Sequence, residues 1–136
     1  MNENVVVVAD DDEDIRAMLA LALAQAGFVA VHAKDGNTAA RIVRVARPAG
    51  IITDVRMPAL NGMELCQLVR SSPELRDTAV LMTSSYSHAY DIEAGLRSGA
   101  DSYLPKPISP RRIVHDLELL INRRRQGCRG GPATQR

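Results

Sequence analysis

The sequence predicts a doubly wound α/β domain, a parallel sheet covered by helices on both faces. Three observations carry that reading. Short apolar, β-branched runs recur along the chain, segments with apolar residues at helical spacing alternate with them, and glycine or proline marks the joints. Strands that are apolar throughout need cover on both sides, and right-handed crossovers through helices supply it.

The elements follow in order. Val5 to Ala9 is the first apolar run, and Ile15, Met18, Leu19, Ala22, Leu23 and Ala26 then recur at helical spacing until Gly27 stops them. Phe28 to Ala33 reads as the second strand, followed by an Asp35-Gly36 turn. Ala39, Ile42, Val43 and Ala46 mark one face of a second helix that ends before Pro48. Gly50 to Thr53 is the third strand, and Leu65, Leu68 and Val69 belong to a third helix closing near Ser72-Pro73. Ala79 to Met82 is the fourth strand, and a fourth helix with a thin apolar face covers Ala89 to Ser98 and closes at Gly99. Ser102 to Leu104 is a short fifth strand. Ser109-Pro110 then supplies an N-cap and a first-turn proline for a last helix whose apolar face is Ile113, Val114, Leu117, Leu120 and Ile121, reaching about Arg125.

Composition bounds what such a domain can do. With 136 residues, 46% of them hydrophobic, the chain has the material for one core and not two. We expect one domain over 1–126 and a flexible basic tail over 127–136, where Gly130-Gly131-Pro132 has linker composition. The formal net charge of +1 favours neither nucleic acid nor membrane. No apolar stretch approaches the roughly 20 residues that span a bilayer, and Val5 to Ala9 lacks the basic leader of a signal peptide, so a cytoplasmic location is expected. Cys66 and Cys128 form neither a disulfide framework nor a metal-ligand pattern and read as free thiols. His32, His88 and His115 share no ligand spacing, and Met57, Met63 and Met82 read as packing.

The chemistry gathers where the strands end. The third strand runs into Asp54, the first into Asp10 and Asp11, the fourth into Thr83, and Lys106 follows the fifth. Ligands of doubly wound sheets bind at the carboxyl ends of the strands, so residues far apart in sequence meet on one face. Crowded carboxylates need a cation, and an oxygen-only donor set suits a hard divalent ion, Mg²⁺ above others. An aspartate can attack phosphorus and form an acyl phosphate, a role that suits Asp54. Lys106 and the Thr83 hydroxyl would hold phosphoryl oxygens.

Four stretches together resemble the receiver domain of two-component response regulators. They are Val5 to Arg16 with its run of acids, Asp54-Val-Arg-Met-Pro-Ala-Leu-Asn-Gly62, Leu81-Met-Thr83-Ser84, and Gly99-Ala-Asp-Ser-Tyr-Leu-Pro-Lys106-Pro107. The resemblance covers Val5 to about Arg125 and is nearest to single-domain, chemotaxis-type regulators. It implies a flavodoxin-like (βα)5 sheet in the order 2-1-3-4-5. It also implies Asp54 as phosphoacceptor, with Mg²⁺ held by Asp11, Asp54 and the main-chain carbonyl of Arg56, and Asp10 acting mainly through water. Three consecutive aspartates leave the register open by one. The pair is placed at Asp10 and Asp11 because Ile15-Arg16 then falls on the family's first apolar-basic helical step, while Glu13 and Asp14 serve the helix start.

The resemblance further assigns phosphoryl binding to Thr83, Ser84 and Lys106, a switch to Thr83 and Tyr103, and a cis bond to Lys106-Pro107. It implies a sensor histidine kinase or phosphotransfer protein as donor. Output would pass to a target protein through helix four, strand five and helix five, from a monomer or a phosphorylation-dependent dimer. Such a domain is a phosphoprotein switch that promotes its own phosphorylation and dephosphorylation and is not a turnover enzyme. Arg56 and Ser85 stand where the family adjusts acyl-phosphate hydrolysis, Ala49-Gly50 replaces an acid common before strand three, and Pro105 is unusual ahead of the lysine.

Other classes fit less well. A phosphorylation-independent pseudo-receiver would share the fold. A haloacid-dehalogenase-type phosphatase also uses an aspartyl phosphate, but Asp14 stands where the Asp10-x-Asp12 pattern wants threonine. A Ca²⁺ loop fails because Ile15 and Leu21 replace its glycine and glutamate. Arg123, Arg124, Arg125 and Arg129 could contact phosphates, yet 3% aromatic content offers little stacking surface, so they read as a basic helix end and solvated tail, with no nucleic acid partner.

Overall fold

The computed structural model describes the backbone of residues 2–130 and the side chains of residues 3–126. In chain order the elements are β1 (Asn2–Ala9), α1 (Glu13–Gln25), β2 (Val29–Ala33), α2 (Gly36–Ala46), β3 (Pro48–Asp54), α3 (Gly62–Ser71), β4 (Ala79–Ser84), α4 (Ala89–Arg97), β5 (Ser102–Pro105) and α5 (Pro110–Gly130). The five strands form one sheet in the order β2-β1-β3-β4-β5, and each neighbouring pair is parallel. The doubly wound sheet is what the sequence pattern predicts, and its strand order is the flavodoxin-like one that the resemblance implies.

Because successive strand residues point to opposite faces, the sheet divides the core in two. Val6 and Val8 of β1, Ile52 of β3 and Leu81 of β4 pack with Leu19 and Leu23 of α1 and with Ile113, Val114, Leu117 and Ile121 of α5. Their neighbours Val7, Ile51, Val80 and Met82 face the other way, against Ala39 and Val43 of α2 and Leu65, Cys66 and Val69 of α3. Met57 and Met82 are buried there and Met63 is partly buried, so all three methionines pack as expected.

The joints show which local signals count. The Asp12 carboxylate caps α1, accepting from the N–H groups of Asp14 at 2.9 Å and Ile15 at 3.3 Å. Asp35, read as a turn residue, caps α2 by accepting from Thr38 N–H at 2.8 Å. Asn61 and Glu64 form a reciprocal capping box at the start of α3, and the Ser109 hydroxyl accepts from Arg112 N–H at 3.1 Å in the first turn of α5. Gly27 and Gly99 take φ values of 92° and 116° just past α1 and α4, where a left-handed residue closes a helix.

Some boundaries differ from expectation. β1 begins at Asn2, where its pairing with β3 shifts register between Asn2 and Val6, and β3 starts at Pro48 on that irregular edge. α5 continues past Arg125 to Gly130, carried by the Arg and Gln residues that favour helix. Residues 131–136 of the expected tail lie outside the described residues, as do the side chains of Cys128 and Arg129. Arg124 and Arg125 at the basic end of the expected helix are also tied to the fold: Arg124 donates to Asp101, and Arg125 Nη2 donates to the Glu3 carbonyl at 2.7 Å.

Ala59, in the β3–α3 loop, is exposed with φ 68°, a conformation that costs an L-residue with a Cβ about 1 kcal/mol or more. Ala59→Gly relieves that strain and gives part of it back as chain entropy in the unfolded state. The expected net gain is about 0.5 kcal/mol, read as a higher urea midpoint at unchanged slope; a lower midpoint would contradict the strain argument.

Candidate functional site

All five strands point their carboxyl ends the same way, and the site stands there. Asp10 directly follows β1, Asp54 ends β3, Thr83 lies near the end of β4, and Lys106 directly follows β5. In the ladder Asp54 is the register partner of Thr83. The Lys106 N–H donates to the Ser84 carbonyl at 2.7 Å, which continues the β4–β5 pairing by one residue and fixes where the lysine leaves the sheet. The Lys106–Pro107 bond is cis.

Lys106 Nζ lies 2.9 Å from Asp54 Oδ2 and 3.3 Å from Asp10 Oδ2. Asp10 is 2% exposed, and its Oδ1 accepts from Asp12 N–H at 2.9 Å. Burial pushes the Asp10 carboxyl above the ordinary carboxylate range; the Asp12 N–H and the Lys106 ammonium pull it back, while the Asp54 charge adds to the rise. For Lys106, burial favours the neutral amine, but the hydrogen bond and charge of Asp54, followed by those of Asp10, outweigh it and leave its pKa raised. One ammonium thus serves two carboxylates.

Asp11 is exposed beside them, and Asp10, Asp11 and Asp54 each offer a carboxylate oxygen within 4.8 Å of the others. Asp12 is engaged in capping α1, which leaves the Asp10 and Asp11 side chains beside Asp54. Three acids facing one lysine leave negative charge in excess, and their all-oxygen donor set fits a hard divalent cation. Arg16 Nη1 donates to the Asp10 carbonyl at 2.7 Å, so the first turn of α1 also braces the acidic loop.

Asp54 is aimed by its own loop. The Asp54 carbonyl accepts from Thr53 Oγ1 at 2.9 Å, and Asp54 Oδ1 accepts from Arg56 N–H at 3.3 Å. The loop then folds back, Gly62 N–H donating to the Val55 carbonyl at 2.8 Å. A Cβ on Gly62 would come within 2.3 Å of the Asp54 carbonyl oxygen, so a side chain there would displace the aspartate itself.

The expected switch residues are buried, Thr83 at 2% and Tyr103 at 7% exposure. Tyr103 turns inward, and its hydroxyl donates to the Tyr86 carbonyl at 2.6 Å. Its ring lies against Gly95 of α4, where an added Cβ would meet it at 2.6 Å. Ser84 is also buried, and its hydroxyl accepts from Tyr86 N–H at 3.0 Å. Thr83 and Lys106 line one side of an apolar pocket of about 260 Å³ under α1, with Ile15, Met18 and Ile108. A second cleft of about 430 Å³, on the other side of the β3–α3 loop, is lined by Arg56, Asn61, Tyr86, Asp91 and Tyr103 among others.

Two features escaped the sequence reading. Tyr86 joins Arg56 and Tyr103, and no local pattern marks it. Asp101 gathers Arg70 and Arg124 at the opposite end of the sheet. The tripeptide Gly99-Ala100-Asp101 was quoted in the resemblance, but nothing in its neighbourhood names partners 31 and 23 residues away. His88 stacks on Tyr90 at 5.4 Å between ring centroids.

A parallel sheet in this order, with acids and a lysine at its carboxyl edge, defines a chemotaxis-regulator-like domain. The sequence matches the response regulator receiver domain family over residues 6–118, and the chain belongs to that family of two-component signalling domains. Among its relatives is the response regulator MprA of Mycolicibacterium vanbaalenii, 33% identical over 118 residues that are 87% of this chain and 50% of the relative. Another, the alkaline phosphatase synthesis transcriptional regulatory protein PhoP of Bacillus subtilis, is 32% identical over 90% of this chain and 50% of its own length. The chain spans about half the length of these curated relatives. Among solved structures, the chemotaxis protein CheY4 of Vibrio cholerae aligns with a TM-score of 0.79 and 31% identity over 88% of this chain and 98% of that one. The receiver domain of the Francisella response regulator 1452 aligns at 0.81 with 29% identity, again over 88% and 98%. Receiver domains bind Mg²⁺ at an acidic pocket, and a cluster of aspartates, Asp10, Asp11 and Asp54, is present here. Among the described residues no helix is long and apolar enough to cross a membrane.

Proposed function

We propose that this receiver accepts a phosphoryl group on Asp54 from a phosphohistidine of a sensor kinase or phosphotransfer protein, in a Mg²⁺-dependent reaction. The observation that carries the reading is the convergence of Asp10, Asp11 and Asp54 within 4.8 Å, with Lys106 Nζ 2.9 Å from the Asp54 carboxylate. An Asp54 oxygen forms the new bond to phosphorus, the phosphorus–nitrogen bond breaks, and the imidazole leaves with its electron pair and takes a proton. Asp11, Asp54 and the Arg56 carbonyl would hold the ion, with Asp10 acting mainly through water, and it would supply positive charge against the phosphoryl oxygens. Lys106 pairs with another phosphoryl oxygen, and Thr83 and Ser84 donate hydrogen bonds to the group.

The signal leaves by a shift between two populations, Thr83 moving toward the phosphoryl group and the inward Tyr103 rotamer, the one seen here, gaining weight. The face of α4, β5 and α5 presents the result to a target protein, with the chain as a monomer or a phosphorylation-dependent dimer. The domain spans 1–126, residues 127–136 form a basic extension whose first four residues continue α5, and the whole works in the cytoplasm as a switch and not a turnover enzyme. Intact mass after incubation with acetyl phosphate tests the reading. A single phosphoryl gain that requires Mg²⁺ and is absent from Asp54→Asn is expected. If beryllofluoride also left the amide spectrum of the parent chain unchanged, the phosphoacceptor reading would fall.

A further inference from the structure

The second helix carries a face that phosphoryl chemistry leaves unused. Between Asp14 and Asp54 the sequence holds a single acid, Asp35, and α2 itself holds none. Arg41 and Arg44 of α2 and Arg47 at its C-cap recur every third residue, so they follow one exposed side of the helix over about 9 Å of its axis. Elsewhere the fold gives its arginines carboxylates: Arg97 meets Glu93, Arg112 meets Asp116, and Arg70 and Arg124 share Asp101. Among the described residues no carboxylate pairs with Arg41, Arg44 or Arg47. The acid that starts α2 is already engaged, since Asp35 accepts from Thr38 N–H, and Glu64 on the neighbouring α3 closes the Asn61 capping box. The Thr38 hydrogen bonds, and after them the Lys34 and Arg41 charges, hold the Asp35 carboxyl below its ordinary value. Val45 stands among these cations, one turn beyond Arg41 and next to Arg44. At 86% it is the most exposed large hydrophobic residue of the described chain. An apolar side chain bordered by charge has the composition of a contact patch, with an apolar centre and a polar rim.

We propose that this face of α2 docks an acidic segment of a partner protein, whose carboxylates meet Arg41, Arg44 and Arg47 while one apolar side chain covers Val45. Guanidinium groups suit that partner because they hold carboxylates through paired hydrogen bonds. Nucleic acid fits less well. β2 ends beside β1, with Ala33 in register with Ala9, so α2 starts on the same edge as the exposed acids Asp11, Asp12, Glu13 and Asp14. Those acids repel a long polyanion and leave room for a short one. A lone valine is a poor anchor in a bilayer. The face also stands apart from β5, because α2 covers β1 and β2 at the other end of the strand order. It gives the domain a second contact surface, and the proposal does not depend on Asp54 accepting a phosphoryl group.

The test titrates the isotope-labelled chain, in low salt, with a synthetic peptide in which glutamates flank a single leucine, and follows the amide shifts. Shifts confined to α2 and its two ends are expected, with a Kd on the order of 100 µM, as fits a small and charge-rich contact. Arg44→Glu should weaken binding about tenfold and Val45→Ser about threefold, each at a thermal midpoint close to the parent's because both positions are exposed. A peptide with serine for its leucine should lose the same threefold on the parent, by about the same measure, and nothing further on Val45→Ser. No shifts, shifts that fall elsewhere, or binding that neither substitution weakens would overturn the proposal. Tighter binding of a short DNA duplex or of phosphatidylserine vesicles would also overturn it and assign the face to that polyanion.

Discussion

Asp101→Ala is expected to lower stability by about 3 kcal/mol, and the thermal midpoint by about 10 °C for a domain of this size. One carboxylate satisfies four donors. Oδ2 accepts from Val80 N–H at 2.9 Å and from Arg70 Nη2 at 2.9 Å, and Oδ1 accepts from Arg124 Nε at 3.0 Å and Nη2 at 2.7 Å. Asp101 is therefore the joint between α3, the start of β4 and α5. Without it two guanidinium groups lose their counter-charge, and a strand N–H has no acceptor. Arg70 keeps the carbonyls of Gly99, Arg76 and Thr78, and Arg124 keeps that of Arg76, which limits the loss. Asp101→Asn retains an acceptor for Val80 and gives up the charge, so it should recover about half the deficit. Melts followed by circular dichroism read both variants. Equal midpoints for Asn and Ala would assign the whole effect to charge.

The second large effect depends on pH. Lys106→Met removes the ammonium that draws the Asp10 carboxyl down, so the carboxyl rises further above its ordinary value of 3.8. The sign follows from proton binding. A carboxyl that is harder to ionise folded than unfolded costs stability as pH rises from its unfolded value through its folded one. Relative to the parent, the variant should be nearly as stable near pH 4 and about 2–3 kcal/mol less stable at pH 7, where Asp10 and Asp54 face each other uncompensated. Urea unfolding of both metal-free chains at the two values measures the difference. A deficit independent of pH would mean that Lys106 acts through the packing of its stem and not its charge.

The sequence carried the architecture because each strand advertises itself. Val5 to Ala9, Ile51 to Thr53 and Ala79 to Met82 are β-branched or apolar throughout, and their burial on both faces is what such runs require. Asp10, Asp11, Asp54 and Lys106 were legible for the same reason: a charge at the end of an apolar strand has one place to go. The three consecutive aspartates left the register open by one, with the pair placed at Asp10 and Asp11, and the Asp12 side chain is the one that caps α1. Contacts between distant surface residues stayed hidden. Arg56 and Tyr86 are 30 residues apart and share no periodicity, and Arg124 looked like one more cation at a helix end. Ends of elements were hidden too, since Arg47 closes α2 with φ 47°, a left-handed turn more often given to glycine.

The hydrogen bond from Arg125 to the Glu3 carbonyl joins positions 122 residues apart, at the amino end of β1 and late in α5. Since the strands are parallel and the acids stand at their carboxyl ends, this clasp lies across the full length of the sheet from Asp54. A module spliced at either end of the domain would hang from the hilt of the blade, out of reach of the chemistry at its tip. Grafting cargo there leaves the acidic edge unobstructed.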